Sequence, residues 1–299
     1  VEEANNLLER PLFLKRKLIE KKVSELQTQL KDEKATILTG KGGYKPYAKE
    51  IESEIKILEN GTDRFYFIKP SEISLSFNEV KILQKLRDII SDKYIFELID
   101  PIDARNHFQK LGMELLKKFD TRDIDKKRLS EIFTRYTAGY GILEILFYDE
   151  KIKDIYVDSP PTTTPIYIDH EKYGICTTNI KLSEEDLERI SSKFRSIGGR
   201  PFDEANPIMD MELQDMGIRV AGVRQPSTFD GIAFAFRKRR ERPWTLPMFV
   251  KEGMMSAKSA AILSYLVSGR CSILITGARG SGKTSLLTAL MSEIRQSDR

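Results

Sequence analysis

The sequence predicts an α+β amino-terminal region, a helical hairpin and helical module leading into an α+β domain with a largely antiparallel sheet. After it comes the first β-α unit of a P-loop α/β domain. Three observations carry this. Apolar residues recur at helical spacing up to about residue 138. From Gly139 the pattern turns to short alternating runs separated by turn residues. Residues 277–284 read G-x-x-x-x-G-K-T between an apolar run and a helical one.

Pro11 suits the first turn of a helix, and Leu12, Ile19, Val23, Leu26 and Leu30 then mark one face. The stripe is too short for a free-standing coiled coil and predicts one arm of a helical hairpin. The second arm is placed at residues 47–60, with Ile51, Ile55 and Leu58 on the apolar face and Gly61 as the cap. Residues 39–43, Thr-Gly-Lys-Gly-Gly, lack the spacing of a phosphate loop and read as the connection. These assignments make residues 1–62 a helical arm. Residues 64–68 are aromatic and β-branched, a strand ended by Pro70. Asn78 is read as the cap of a helix carrying Val80, Leu83, Leu86, Ile89 and Ile90, and helices over 102–119 and 123–137 complete a mostly helical module, 63–138. Nothing before Gly139 carries a chemical constellation.

Over 139–242 the reading is an α+β domain: strands at 155–157, 165–168 and 175–177, a helix over 183–197 with Leu187, Ile190 and Phe194 inward, and strands at 209–213, 218–223 and 232–236. Pro243 and Pro247 mark a linker, 243–255, holding one short helix. Residues 256–299 open the next domain: Ser256 caps a helix over 257–268, residues 273–275 are a strand, and Leu286, Leu287, Leu290 and Ile294 follow at helical spacing.

The loop between that strand and helix explains its own composition. Gly277, Gly280 and Gly282 let backbone approach a dense anion where a Cβ would block it. Ala278, Arg279, Ser281 and Ser285 complete the stretch whose N–H groups and helix start face phosphates. Lys283 is placed to reach β/γ oxygens, and Thr284 to offer its hydroxyl to Mg²⁺. The expected cofactors are thus ATP and Mg²⁺. The plain alternative, a glycine turn with an exposed lysine, does not explain the flanking strand and helix patterns. No apolar strand ending in Asp or Glu follows before Arg299, so the acidic catalytic residues are expected beyond it. Both ends of the chain look cut, and the chain alone is expected to bind nucleotide poorly and to hydrolyse no ATP.

Composition sets bounds. At 299 residues, 40% hydrophobic and 31% charged, the chain can build two or three domains. No apolar run nears the ~18 residues of a membrane span, and the start lacks a signal-peptide core, which points to the cytoplasm. Two cysteines, Cys176 and Cys271, read as small buried hydrophobes, and with two histidines they exclude a metal cluster of Cys/His type. Forty-nine basic groups against 45 acidic ones leave +4, a weak argument for nucleic acid or anionic lipid.

From Gly139 onward the residues resemble the secretion and pilus motor ATPases of the type II/type IV superfamily, with an archaeal flavour shared by archaellum motors. The likeness runs motif by motif: Gly139-Tyr140-Gly141-Ile142-Leu143-Glu144, then residues 152–158; Asp203-Glu204-Ala205-Asn206-Pro207-Ile208-Met209-Asp210 and Gly217-Ile218-Arg219-Val220; Phe234-Ala235-Phe236-Arg237-Lys238, the proline linker and the loop. The resemblance implies a RecA-type ring ATPase, a homo-hexamer working at the cytoplasmic face of the membrane with a platform protein of a pilus, archaellum or secretion machine. It also implies that Arg219 and Arg237 neutralise nucleotide phosphates. Met216, between Asp215 and Gly217, departs from the family's Asp-Gly and implies a different turn.

Two other readings compete. A nucleic-acid-translocating ring ATPase would use the run Arg237-Lys238-Arg239-Arg240-Glu241-Arg242 with Phe236 and Trp244 to grip a phosphate backbone, although such a run is more often a solvated face. A non-catalytic docking scaffold is the third.

Overall fold

The computed structural model of the chain describes residues 36–37, 53–93, 101–119, 124–239, 243–278 and 281–295. The first arm of the expected helical hairpin lies outside them. The chain divides into two compact units, Val1–Arg239 and Arg240–Arg299.

The first unit is organised on one sheet. Its strands are β1 (Thr36–Ile37), β2 (Ser53–Asn60), β3 (Asp63–Pro70), β4 (Ile152–Val157), β5 (Tyr167–His170), β6 (Gly174–Thr178), β7 (Ile208–Leu213), β8 (Ile218–Val223) and β9 (Ala233–Lys238), in the order β1-β2-β3-β6-β5-β4-β9-β8-β7. Every pairing among the described residues is antiparallel except β3 with β6. The largely antiparallel α+β sheet read from the sequence is therefore observed, but it is wider than expected.

The extra width comes from a stretch read as helix. Residues 53–60 form β2, not the second arm of a helical hairpin, and Gly61 (φ 60°) turns a tight β-hairpin into β3 instead of capping a helix. Ser53, Ile55 and Ile57 are buried in alternation, the period of a strand. Gly61-Thr62 is the two-residue hairpin loop, with glycine supplying the positive φ at its first position. The hairpin docks on the sheet through Asn179, whose side-chain amide donates to the Ile68 carbonyl and accepts from the Ile68 N–H, both at 2.8 Å. Ile55, Ile57, Tyr66 and Ile68 thereby join the main core.

That core lies between the sheet and helix α5 (Glu184–Gly198), which buries Leu187, Ile190 and Phe194. Ser183 and Asp186 form a capping box at its start, and Gly199 (φ 60°) ends it. Phe194 meets Phe234 edge-on at 5.5 Å, and Phe147 from the short helix α4 (Leu143–Tyr148) meets Phe236 at 5.0 Å.

A second core holds helices α1 (Phe77–Lys93), α2 (Pro101–Leu116) and α3 (Lys126–Thr137), packed through Leu86, Leu116, Leu129 and Ile132. The cap of α1 is Ser76, not Asn78: Ser76 Oγ accepts from the Glu79 N–H, and the Glu79 carboxylate accepts from the Ser76 N–H. Buried Glu144 ties this module to α4, accepting from Arg105 on α2 at 2.8 and 2.9 Å and from the Tyr140 N–H at 2.9 Å.

The second unit contains α6 (Leu246–Lys251), α7 (Ala257–Ser268), capped by Ser256 as expected, and α8 (Lys283–Ser292). Its small core is Leu246, Phe249, Ala260, Ala289 and Leu290, with Trp244 stacked on Phe249 at 4.8 Å. The strand expected at 273–275 is not formed. A strand needs a ladder partner for its N–H and C=O groups, and no described residue runs beside this segment. Ile275 packs inward, while Leu274 is 88% exposed. Cys176 is buried, and burial pushes its thiol up to about 11, but Cys271 is exposed, contrary to expectation.

Candidate functional site

In the second unit the glycine loop runs into α8. Gly282, at φ 85°, is the residue before the helix, and no side chain caps the first turn. The start of α8 thus presents backbone donors together with the positive end of the helix dipole. Lys283 folds back across the loop, donating from Nζ to the carbonyls of Gly277 at 2.9 Å and Ala278 at 2.7 Å. A Cβ on Gly277 would stand 2.6 Å from Ser281 Oγ, so close approach requires glycine there. Thr284 is exposed and Ser285 partly so. Arg279 and Gly280 lie outside the described residues.

In the first unit the outer face of the sheet carries Arg219 and Arg237. Strand alternation explains why both point outward: Ile218, Val220, Phe234 and Phe236 fill the core from the same strands. Arg219 is the direct cross-strand partner of Arg237, and the row continues to Glu212 on one side and Asp154 on the other. Asp210 binds Arg219 through both oxygens, at 3.0 Å from Nε and 2.6 Å from Nη2. Asp154 accepts from Arg237 Nε at 2.8 Å. These hydrogen bonds hold both guanidinium groups above their usual range and the Asp210 carboxyl below its own.

Sequence reasoning gave the two arginines a role and left Asp154 and Asp210, which stand in the quoted motifs, without one. The alternation Asp210-Met211-Glu212 was a signal, because it places carboxylates on the outward face of β7. Met216 falls in a four-residue turn, 214–217, that Gly217 (φ 60°) closes into β8.

The described part of the basic run, 237–239, is not a free cationic strip. Arg237 pairs with Asp154, Arg239 with Glu212 at 3.0 Å, and Lys238 Nζ donates to the Asp149 carbonyl at 2.5 Å. Phe236 is core. Residues 240–242 lie outside the described residues.

Residues 201–299 match the family model described as Type II/IV secretion system protein. The chain is 27% identical over 250 residues to an uncharacterized protein of Methanocaldococcus jannaschii, covering 81% of this chain and 33% of that one. That overlap is too long to fit after residue 138, so the likeness reaches into the region where the sequence offered no motif. Conjugal transfer protein TrbB of Rhizobium radiobacter is 35% identical over 92 residues, 31% of this chain and 28% of that one. The chain thus spans about a third of the length of these relatives. The VirB11 ATPase of the Brucella suis type IV secretion system overlaps 51% of each chain at 20% identity with a TM-score of 0.33, which adds nothing to the family match.

Proposed function

We propose that the chain is the ATP-binding portion of a secretion-type motor ATPase, in which ATP hydrolysis drives assembly or transport by a pilus, archaellum, secretion or conjugal transfer machine. The observation that carries this reading is the loop at 277–285 entering α8 at an uncapped helix start, within the residues matched by the family model. In this reading the loop N–H groups and Lys283 hold the triphosphate, Thr284 meets Mg²⁺, and Arg219 and Arg237 neutralise phosphate charge. The working form is a homo-hexamer at the cytoplasmic face of the membrane, docked on a platform protein. No helix among the described residues is long and apolar enough to cross a membrane, in keeping with a peripheral position.

The nucleic-acid alternative has less support. Among the described residues of its proposed grip, Phe236 is buried, Trp244 stacks on Phe249, and Arg237 and Arg239 already have carboxylate partners. A purely non-catalytic docking scaffold would have no use for a lysine at this place in a glycine loop.

The test is calorimetric titration of MgATP into the parent chain and Lys283→Ala, with phosphate release measured on the whole protein. Magnesium-dependent binding that weakens at least about tenfold in the variant, the worth of one charge-assisted contact, is expected. Equal affinity in both would overturn the reading.

A further inference from the structure

Where α5 meets residues 139–144, three cations gather around one buried carboxylate. Glu144 accepts from Arg105 Nη1 through both oxygens, at 2.8 and 2.9 Å, and from the Tyr140 N–H at 2.9 Å. Arg189 on α5 has partners of its own: Nη1 donates to the Gly139 carbonyl at 3.3 Å, and Nη2 stands 3.8 Å from Asp186. Lys193, one helical turn further along α5, has neither kind of partner. Its Nζ sits over the Tyr140 ring, 4.3 Å from the centroid, and among the described residues no carboxylate or carbonyl is hydrogen-bonded to it. A ring face stabilises an ammonium less than the water or carboxylate oxygens it replaces. Burial disfavours the charged form most; Glu144 favours it, Arg189 and Arg105 oppose it, and Asp215 favours it, a balance that brings the amine down to about 8. The residue is nevertheless partly exposed, so a small reagent has access to it.

We propose that Lys193, kept from Glu144 by Arg105, is an acylation site whose amine takes an acetyl group from a small acyl phosphate such as acetyl phosphate. The lone pair of the neutral amine attacks the acyl carbon, and the bond from that carbon to the phosphate oxygen breaks. Phosphate leaves with the electron pair, the amine proton passes to water, and a neutral amide remains. Arg105 and Arg189 add local positive charge that favours an anionic acyl donor over a neutral one. Acylation here breaks no ion pair, because Lys193 makes none among the described residues. The inference is independent of how the glycine loop and the arginine row are used.

The experiment incubates the full chain with acetyl phosphate over a series of pH values and follows acetylation of each lysine by mass spectrometry. Near pH 7.5 Lys193 should react about tenfold faster than the median exposed lysine of the same chain. An amine titrating near 8 is neutral roughly a hundredfold more often at that pH than an ordinary lysine, and its lower basicity and partial burial return part of the gain. Its rate should level off above about pH 8, while those of exposed lysines keep rising. Arg105→Gln releases Glu144 to pair with Lys193, which should slow Lys193 several-fold with the other lysines unchanged. A thermal unfolding midpoint verifies that the variant is folded; if it is not, the pH profile of the parent decides alone. A Lys193 rate at or below the exposed median, a profile that climbs in parallel with the exposed lysines, or a folded Arg105→Gln variant with the parent's rate would each overturn the inference.

Discussion

Arg219 on β8 and Arg237 on β9 stand directly opposite each other across an antiparallel pairing, on the solvent face of the sheet. Like charges in that position repel, and the fold tolerates them by flanking the pair with Asp210 and Asp154. Moving β9 by one residue would put Arg237 into the core and Phe236 into water, so the register that builds the core also builds the row.

On the proposed function, Arg237→Ala in the whole protein lowers ATP turnover roughly a hundredfold while nucleotide affinity falls only a few-fold, because the arginine meets charge that develops as phosphate is transferred. Steady-state kinetics together with equilibrium binding separate the two effects. A loss confined to affinity would place the arginine in ground-state binding only.

Lys283→Ala should reduce affinity for MgATP by about ten- to a hundredfold, since one charge-assisted contact worth roughly 1.5–3 kcal/mol disappears. Thr284→Ala should instead flatten the dependence of binding on magnesium concentration. Titrations with and without the cation distinguish these variants.

Gly139→Ala should destabilise the first unit by about 3 kcal/mol, a steep cost for one methyl group. The added Cβ would lie 1.9 Å from Glu144 Oε1 and 2.7 Å from the Arg135 carbonyl. The carboxylate would have to leave Arg105 and the Tyr140 N–H, and the backbone carbonyl cannot rotate away. Denaturant unfolding measures the loss, and a midpoint equal to the parent's would contradict the packing described.

His170 should make stability pH-dependent. It is buried, and its Nδ1 accepts from the Lys172 N–H at 3.1 Å, so burial holds its pKa below the ordinary value while Asp149 opposes the shift. Above about pH 6.5 the ring is neutral in both folded and unfolded chains and the term vanishes. As pH falls below that value the unfolded chain takes up the proton first, and stability declines until the folded pKa is passed. His170→Asn keeps an acceptor at the δ position but does not titrate, so its unfolding midpoint should change less than the parent's between pH 7 and pH 5.5.

Much of this was legible locally. The capping residues Ser183 and Ser256, the terminal Gly199 and the alternation of β7, β8 and β9 follow from signals only a few residues long. Two such signals were present and misread. Ser76-x-x-Glu79 is a capping box, and Gly61-Thr62 is a hairpin turn. Ile51, Ile55 and Leu58 satisfy a helical period while Ile55 and Ile57 satisfy a strand period, so hydrophobic pattern alone could not separate the two. What separates them is the neighbour: β2 has β3 along its whole length.

By itself the sequence determined where α5 and α7 lie, the alternation along β8 and β9, and the spacing of the loop from Gly277 to Thr284, because these depend on backbone preferences and contacts within a few residues. Tertiary structure alone decided that Arg219 faces Arg237, that Asp154 reaches an arginine 83 positions away, and that Glu144 meets Arg105 across 39. It also left residues 273–275 without the ladder their apolar run anticipates. The physical reason is that a charge row or a strand is completed by a partner from distant sequence, and which partner arrives is set by how the sheet closes on its core.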